Sequence, residues 1–120
     1  MKVKRFEDLI VWQVGHELTL EIYRVTKFFP KEELFGLIAQ LRRAASSVPA
    51  NVVEGYYRHT TKELVKFLYN ARGSAGEVTY FLILSRDLKY ISDNKYEDLR
   101  ERYEKLLRSI SAMINSLSKK

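Results

Sequence analysis

Residues 40–55 read QLRRAASSVPANVVEG and combine two patterns in one segment. The apolar residues of one pattern recur every three or four positions, which is the spacing of the buried stripe of an amphipathic helix. They are Leu41, Ala45, Val48 and Val52. The other positions of the segment include two arginines, two serines, a proline, an asparagine and a glutamate. A helix that only filled a core would not need this polar set, so the polar residues require an explanation of their own.

Three further segments of the chain carry the same apolar spacing. In chain order, the four stripes are Val11, Gly15, Leu18, Ile22, Val25 and Phe29; Leu34, Ile38, Leu41, Ala45, Val48 and Val52; Leu64, Leu68, Ala71, Ala75, Val78, Leu82 and Ser85; and Leu99, Tyr103, Leu106, Ile110, Met113 and Leu117. None of the segments alternates apolar and polar residues as a half-buried strand does. The sequence therefore predicts an all-α fold, an antiparallel up-down-up-down four-helix bundle, in which residues 1–120 form a single domain.

The breaks between these segments fall where such a bundle needs its three connections. Pro30 disfavours helical geometry at the residue before it and so ends the first helix. Residues 55–60 carry the second turn, and Thr60 followed by Glu63 is the capping box that opens the third helix. Ser92 offers a polar cap to the fourth helix. Because all three connections are short, neighbouring helices are expected to run antiparallel.

Pro49 conflicts with the helical pattern because it lacks an N–H donor and its ring presses on the carbonyl of Ala45. Either the second helix ends near Val48 and restarts, or it continues with a kink. The apolar spacing passes through Pro49 without a change of phase, which favours the continuous helix. In that case the hydroxyls of Ser46 and Ser47 are expected to help satisfy the freed backbone groups.

Composition limits the classes of protein to which the chain can belong. Its 120 residues suffice for one domain, and its net charge of +6 permits an anionic partner. Cysteine is absent, which excludes disulfides and thiolate metal sites and fits a cytoplasmic location. No apolar run reaches the roughly 18 residues of a membrane span, so no membrane contact is expected.

The sequence lacks the signatures of enzymes and of cofactor sites. His16 and His59 have no glutamate three residues earlier, the spacing that di-iron bundle sites use. His16 is instead expected at a surface or an interface. No glycine-rich phosphate loop is present, and Gly73 and Gly76 are expected to mark close approach between helices. We therefore expect a non-enzymatic protein without a cofactor or a metal.

The polar residues of the second helix form a stripe about 100° around the helix from the apolar one. They are Gln40, Arg43, Ser47, Asn51, Glu54 and Arg58. The third helix carries a corresponding stripe that could face it. Its residues are Glu63, Lys66, Asn70, Gly73, Glu77 and Tyr80. A turn centred near residue 60 places Arg43 level with Glu77, and Glu54 level with Lys66. These residues form ion pairs that set the register of the two helices, make a polar contact face for another subunit, or do both, since the two roles are compatible.

A basic cluster follows the second helix. Its candidate nucleic-acid-binding residues are Arg58, His59, Lys62, Lys66 and, further along the third helix, Arg72. Lys62 and Lys66 repel each other mildly at this spacing, and an anionic partner would relieve the repulsion. Tyr56 and Tyr57 stand beside them and either stack on bases or only pack. The terminal Lys2, Lys4, Arg5, Lys119 and Lys120 add either non-specific attraction or solubility.

The fourth helix carries many charges, but their arrangement predicts that they cancel. Acidic residues precede basic ones by four positions, which is the favourable orientation on a solvated helix. The pairs are Asp98 with Arg102, Glu101 with Lys105, and Glu104 with Arg108. This helix is therefore expected to face solvent rather than nucleic acid.

Nearly the whole chain resembles the bacterial 23S rRNA intervening-sequence proteins, usually called four-helix bundle proteins. The resemblance lies in FEDL at 6–9, VWQ at 11–13, Tyr23, FP at 29–30, ELFGL at 33–37, the quoted stretch at 40–55, FL at 67–68 and ARGSAGE at 71–77. The stretch at 40–55 is long and unusual. The family is also similar to the accessory variability determinants of diversity-generating retroelements, and no feature of the chain tells which subgroup it belongs to.

The resemblance implies a ring-like homopentamer without catalytic residues. In a closed ring, one face of a subunit meets a different face of the next. The candidate residues for that interface or for a polar network are Trp12, Gln40, Arg42, Arg43, Ser47, Asn51, Glu54 and Glu77. A basic patch repeated around the ring would multiply weak phosphate contacts.

Three functions follow from the residues and the resemblance together. The first is binding of nucleic acid, RNA or DNA, with structured or rRNA-related RNA favoured. The second is that of an adaptor that docks a protein partner such as a reverse transcriptase, since the retroelement proteins bind one. In the third, the protein is a passenger of an rRNA insertion and has no assigned function.

Overall fold

Four helices joined by short connections make up the structure, a computed structural model that describes residues 3–119. The helices are α1 (Ile10–Thr26), α2 (Leu37–Tyr56), α3 (Thr61–Asp87) and α4 (Asp93–Ser118), with 3₁₀ turns at Phe6–Asp8 and Lys31–Glu33. No strand occurs among the described residues. The predicted all-α four-helix bundle is confirmed. Lys2 and Lys120, which were expected to add basic charge, lie outside the described residues.

Contacts between successive helices run in opposite directions along the two helices, so each successive pair is antiparallel. They join Thr26 to Arg42 and Thr19 to Ala45 between α1 and α2, Arg43 to Glu77 and Ser47 to Ser74 between α2 and α3, and Arg72 to Ser111 and Arg86 to Tyr96 between α3 and α4. The helices therefore alternate in direction. The starts of α1 and α3 share one end of the bundle with the carboxyl ends of α2 and α4.

Apolar side chains from all four helices fill the interior. The predicted stripes are buried or packed against the core, with the exception of Leu34, which is 50% exposed. Leu34 precedes α2, because that helix begins only at Leu37, whose N–H donates to the Glu33 carboxylate at 3.1 Å. The core also includes apolar side chains that the spacing did not include, namely Leu37, Ala44, Tyr96 and Ile114.

Hydroxyl side chains cap the starts of α3 and α4, as predicted. The Thr60 hydroxyl accepts a hydrogen bond from the N–H of Glu63 at 3.1 Å. The Ser92 hydroxyl accepts one from the N–H of Lys95, also at 3.1 Å. Each cap satisfies a backbone donor that has no partner within its helix, so the caps help to set where these helices begin.

The second helix continues through Pro49, as the unbroken apolar spacing predicted. Proline leaves the carbonyl of Ala45 without its helical donor, and the hydroxyl of Thr19 on α1 lies 3.1 Å from that oxygen. The expectation that Ser46 and Ser47 would satisfy the freed backbone is wrong, because their hydroxyls bond elsewhere. A hydroxyl of the neighbouring helix thus lies within hydrogen-bond distance of the carbonyl that Pro49 frees, and it also lies 2.7 Å from the carbonyl oxygen of Gly15.

The carboxylate of Glu21 links α1 to α4. It lies 3.1 Å from Lys95 Nζ and 3.7 Å from Arg102 Nη1, both on α4, and it also pairs with Arg24 on its own helix. The hydrogen bond from Lys95, followed by the one from Arg24, holds the pKa of Glu21 below its usual range. The ionised form of Glu21 therefore favours the folded bundle.

Replacement of Glu21 by glutamine is expected to lower the Tm near neutral pH and to have less effect in acid. A carboxylate with a lowered folded-state pKa adds stability above its unfolded-state pKa, and this contribution is lost as pH falls through the folded-state value. Thermal melts of the wild type and of the Glu21→Gln variant, from acid to neutral pH, measure the difference in Tm between them. Glu101→Gln is the control, because its exposed ion pair with Lys105 at 3.9 Å should contribute little. A difference in Tm that does not change with pH would contradict the role of Glu21.

Candidate nucleic-acid interface

A series of aromatic rings lies at the end of the bundle where α1 and α3 begin. The ring centroid of Phe6 lies 5.2 Å from that of Trp12 and 6.2 Å from that of Tyr57, both in edge-to-face geometry. Trp12 stacks on the exposed His16 at 4.9 Å, with the ring planes 9° apart. The structure thus brings Trp12, a predicted interface residue, close to the tyrosines of the basic cluster.

Arg58 in the basic cluster is already engaged by carboxylates of this chain. Its guanidinium lies 2.9 Å from Glu54 and 3.8 Å from Glu63. It also lies 4.8 Å from the ring centroid of Phe67. The expected pairing of Glu54 with Lys66 is wrong, because Glu54 pairs with Arg58 four residues away. Arg58 therefore has less free charge to offer a ligand than its sequence position indicated.

Lys62 and Lys66 form no ion pair with any residue between 3 and 119. Both side chains are exposed on the outer face of α3, and His59 is exposed in the turn before it. The two lysines line a shallow groove on that face together with Glu63, Val65, Tyr69 and Asn70. Within the basic cluster, the cations best placed for an anionic ligand are therefore Lys62 and Lys66.

Arg72 is held between α3 and α4. Its guanidinium lies 4.8 Å from the ring centroid of Tyr69 and donates a hydrogen bond to Ser111 Oγ at 3.2 Å. Tyr69 nevertheless keeps 49% of its surface exposed. Arg72 therefore supports an exposed aromatic ring at the edge of the groove.

The predicted polar stripe joins α2 to α3 within the chain. Nη2 of Arg43 lies 3.1 Å from both carboxylate oxygens of Glu77, which confirms the predicted pair, and Gln40 accepts a hydrogen bond from the same nitrogen at 3.1 Å. The hydroxyl of Ser47 lies 2.9 Å from that of Ser74. These contacts support the first interpretation of the stripe, in which it sets the register of the two helices.

Two other candidate interface residues also bond within the chain. Asn51 donates a hydrogen bond from Nδ2 to the carbonyl of Ser47 at 2.8 Å. Arg42 donates from Nε to the hydroxyl of Thr26 at 2.9 Å, and its guanidinium lies 4.5 Å from the ring centroid of Tyr23. Arg42 therefore ties α2 to the last turns of α1, a contact that the spacing of the sequence did not indicate.

Reversing the charge of Arg43 to Glu is expected to lower stability modestly, and adding Glu77→Arg is expected to restore part of the loss. Both side chains are about half exposed, so the pair is worth at most about 1 kcal/mol. Thermal melts of the wild type, the two single variants and the double variant form a double-mutant cycle that measures the interaction. The pairing would be contradicted if the double variant melted no higher than Arg43→Glu alone.

Close approach between helices occurs at Gly15 and Gly55, not at Gly73 and Gly76. A Cβ added at Gly73 or Gly76 would meet nothing within 4 Å beyond its own helix among the described residues, so the expectation for these glycines is wrong. A Cβ at Gly15 would lie 3.3 Å from a side chain of α2, and one at Gly55 would lie 2.9 Å from Phe67 Cβ. The start of α3 thus packs directly against the end of α2.

The fourth helix pairs most of its charges as predicted. The observed pairs are Asp98 with Arg102 at 3.5 Å and Glu101 with Lys105 at 3.9 Å. Glu104 pairs with Arg100 at 2.8 Å, so the expected pair with Arg108 is wrong. Most charged side chains of α4 are therefore paired, although Arg108 has no ion pair among the described residues, whereas neither Lys62 nor Lys66 on α3 is paired.

The described part of the chain lacks the features of a metal site and of a membrane span. Residues 3–119 contain no group of three histidine, cysteine or acidic side chains placed to hold a metal ion. Over the same residues, none of the helices has the length and apolarity that crossing a membrane requires. The hydroxyl of the buried Tyr103 has no hydrogen-bond partner there, and burial raises its pKa.

Comparison with known proteins identifies relatives of the chain. The structure is similar to the crystal structure of a protein with unknown function from the S23 ribosomal protein family of Bacteroides thetaiotaomicron VPI-5482. The TM-score is 0.82 and the sequence identity 23%, over 88% of this chain and 96% of that chain, which shows a shared fold. No curated protein matches the chain. The family described as 23S rRNA-intervening sequence protein matches residues 7–113, and the chain therefore belongs to that family.

Proposed function

We propose that this protein is a non-enzymatic, homo-oligomeric nucleic-acid-binding protein whose ligand is RNA. The observation that carries the proposal is the outer face of α3, where Lys62 and Lys66 have no ion pair among the described residues and lie beside the exposed Tyr69. Cations next to aromatic rings suit phosphate contact combined with stacking.

Binding is expected to depend mainly on charge. Contact of lysines with phosphates releases cations from the nucleic acid, so affinity should fall steeply as salt rises. The net charge of +6 on one chain is modest, and repetition of the lysine pair in an oligomer would raise the affinity without new contacts. Arg58, His59 and Arg72 then contribute at the margins of the surface.

Exposed apolar surface supports an oligomer, and it lies at the end of the bundle opposite to the one where α1 and α3 begin. The family resemblance implies five subunits. Phe28 and Phe35, in the connection between α1 and α2, are 86% and 91% exposed. Both side chains belong to the same connection, and exposed apolar patches are typical of contact surfaces. We propose that contacts between copies combine this end with the polar residues Gln40, Arg43, Glu54 and Glu77, which are exposed or partly exposed. The lysines of α3 would stay free.

The same apolar end favours a second function, in which the oligomer is a scaffold that docks a protein partner such as a reverse transcriptase. Phe28 and Phe35 would then contact the partner instead of another copy. Pull-down after nuclease treatment separates the two functions. Partners that are lost with the nucleic acid support the RNA-binding function, and partners that are retained support the scaffold.

Light scattering coupled to size-exclusion chromatography tests the proposed function on nuclease-treated protein, with and without an rRNA fragment. We expect a mass near five subunits that increases with RNA at about 50 mM salt and reverts at about 200 mM. Lys62→Glu combined with Lys66→Glu should abolish the increase and keep the oligomer.

The matched control is Lys105→Glu combined with Arg108→Glu, which makes the same change of charge at exposed positions of α4. This variant should still bind RNA at low salt. A pentamer that ignores RNA would favour the scaffold, and a monomer would contradict the oligomer.

A further inference from the structure

We propose that a groove between the end of α1 and the start of α2 docks an acidic segment of a protein partner, with an apolar side chain of that segment seated among its carboxylates. The groove has a volume of about 320 Å³. Its cations are Lys27, Lys31 and Arg42, and its apolar residues are Phe29, Leu34 and Ile38. It lies at the end of the bundle opposite to Lys62 and Lys66, and the inference does not depend on the proposed RNA binding.

The charge of this groove is positive and is not balanced from within the chain. None of its three cations forms an ion pair with any residue between 3 and 119. Glu32 and Glu33 are close in sequence but do not line the groove. The carboxylate of Glu33 instead accepts hydrogen bonds from the N–H of Leu37 at 3.1 Å and from the hydroxyl of Tyr90 at 2.9 Å. The ligand that complements the groove is therefore anionic.

Arg42 is held in place without a counter-ion. Its Nε donates to the hydroxyl of Thr26 at 2.9 Å, and its guanidinium lies 4.5 Å from the ring centroid of Tyr23. The side chain is partly buried, and charges removed from water are normally paired with an opposite charge. A carboxylate bound at Arg42 would supply that charge, and a side chain that is already ordered loses little freedom on binding.

A neighbouring groove between α1 and α4 has its cations balanced by the chain itself. It is lined by Arg24 and Lys95 together with Glu21, whose carboxylate pairs with both of them. The groove on the outer face of α3 likewise contains the carboxylate of Glu63. No such group lines the groove between α1 and α2, so its carboxylate has to come from a ligand.

The apolar surface of the groove distinguishes a peptide from a nucleic acid. Phe29 and Ile38 are buried, and Leu34 is half exposed, so the accessible apolar surface is aliphatic. An aliphatic side chain can pack against an apolar side chain of a peptide, whereas a base stacks on a flat aromatic face. The groove therefore favours a peptide.

The placement of the cations favours a segment with several carboxylates over a ligand with one. Lys27 directly follows α1, Lys31 lies in the 3₁₀ turn, and Arg42 lies on α2. An extended peptide points successive side chains to opposite sides, so it can present acidic and apolar side chains to one surface at close spacing. Phe28 and Phe35, which are proposed to contact another copy, do not line the groove and leave it available.

Fluorescence anisotropy of a labelled peptide tests this inference on the intact protein. The probe has about ten residues, two leucines among glutamates, and a second probe of equal charge has serines in place of the leucines. We expect the leucine probe to bind about tenfold more tightly than the serine probe. Lys27→Glu combined with Lys31→Glu should weaken binding of the leucine probe by about tenfold or more. Leu34→Asn should remove the preference for leucine.

The matched control is Lys62→Glu combined with Lys66→Glu, which makes the same change of charge at the opposite end of the bundle. This variant should bind the leucine probe like the wild type. The variant of Lys27 and Lys31 should in turn bind RNA like the wild type. Thermal melts with a Tm near that of the wild type establish that the variants fold.

Equal binding of the two probes, or undiminished binding in the variant of Lys27 and Lys31, would overturn the inference. Loss of RNA binding in that variant would make RNA the occupant of the groove. A wild type that ignores the leucine probe, with a smaller oligomer in the variant, would make a second copy the occupant, and both results overturn the inference. Failure of the wild type to bind RNA concerns the proposed function alone, so the two failures are distinguishable.

Discussion

Substitution of Gly55 by alanine is expected to destabilise the protein by about 1–2 kcal/mol, while the same substitution at Gly73 is expected to stabilise it. The new Cβ at Gly55 would lie 2.9 Å from the Cβ of Phe67 and 3.0 Å from Cδ1 of Leu64. The Cβ of Phe67 is attached to the backbone, so relief requires a shift of α2 against α3. Such overpacking costs about 1–3 kcal/mol, which exceeds the gain of up to ~1 kcal/mol from replacing glycine by alanine in a helix.

Gly73 provides the matched control, because a Cβ there would meet nothing within 4 Å beyond its own helix among the described residues. Only the gain in helix propensity should then remain, and the free energy of unfolding should rise by up to ~1 kcal/mol. Urea unfolding of the wild type and the two variants measures both effects. Losses of equal size at Gly55 and Gly73 would show that the close approach of α2 and α3 is not the cause.

Apolar spacing predicts the helices of this chain because each helix must bury one face against its neighbours. It is wrong at Leu34, where the start of α2 is determined by the Glu33 carboxylate, which accepts a hydrogen bond from the N–H of Leu37. A cap formed by a residue outside the helix does not appear in the periodicity of apolar residues. The boundary therefore depends on local hydrogen bonding, while the existence of the helix depends on burial.

The basic cluster of the candidate site was predictable because its members are close in sequence. The sequence could not predict which of these cations are free to bind a ligand, because that depends on which carboxylate each side chain reaches. Arg58 pairs with Glu54, while Lys62 and Lys66 have no partner among the described residues. Sequence distance likewise concealed the contact of Phe6 with the rings near the turn. Tertiary contacts therefore decide which of the predicted cations can meet a ligand.

Replacement of Thr19 by valine is expected to destabilise the protein by about 1–3 kcal/mol, because a buried carbonyl loses its donor. Valine keeps the shape of threonine and removes the hydroxyl, which lies 3.1 Å from the carbonyl oxygen of Ala45 and 2.7 Å from that of Gly15. The Gly15 carbonyl keeps its helical N–H donor. The Ala45 carbonyl has none, because residue 49 is proline. The loss should therefore fall on Ala45.

A double-mutant cycle with Pro49→Ala isolates this effect. Alanine restores an N–H that can donate to Ala45, so Thr19→Val should be less destabilising in that background, with a coupling of about 1 kcal/mol. Thr26→Val is the control, since Thr26 is also buried on α1 but lies about 10 Å further along the helix, beyond the reach of Pro49. Its effect should be the same in both backgrounds. Additivity at Thr19 would mean that the helix tolerates Pro49 without help from α1, whereas coupling at Thr19 alone would show that α1 supplies the missing hydrogen bond.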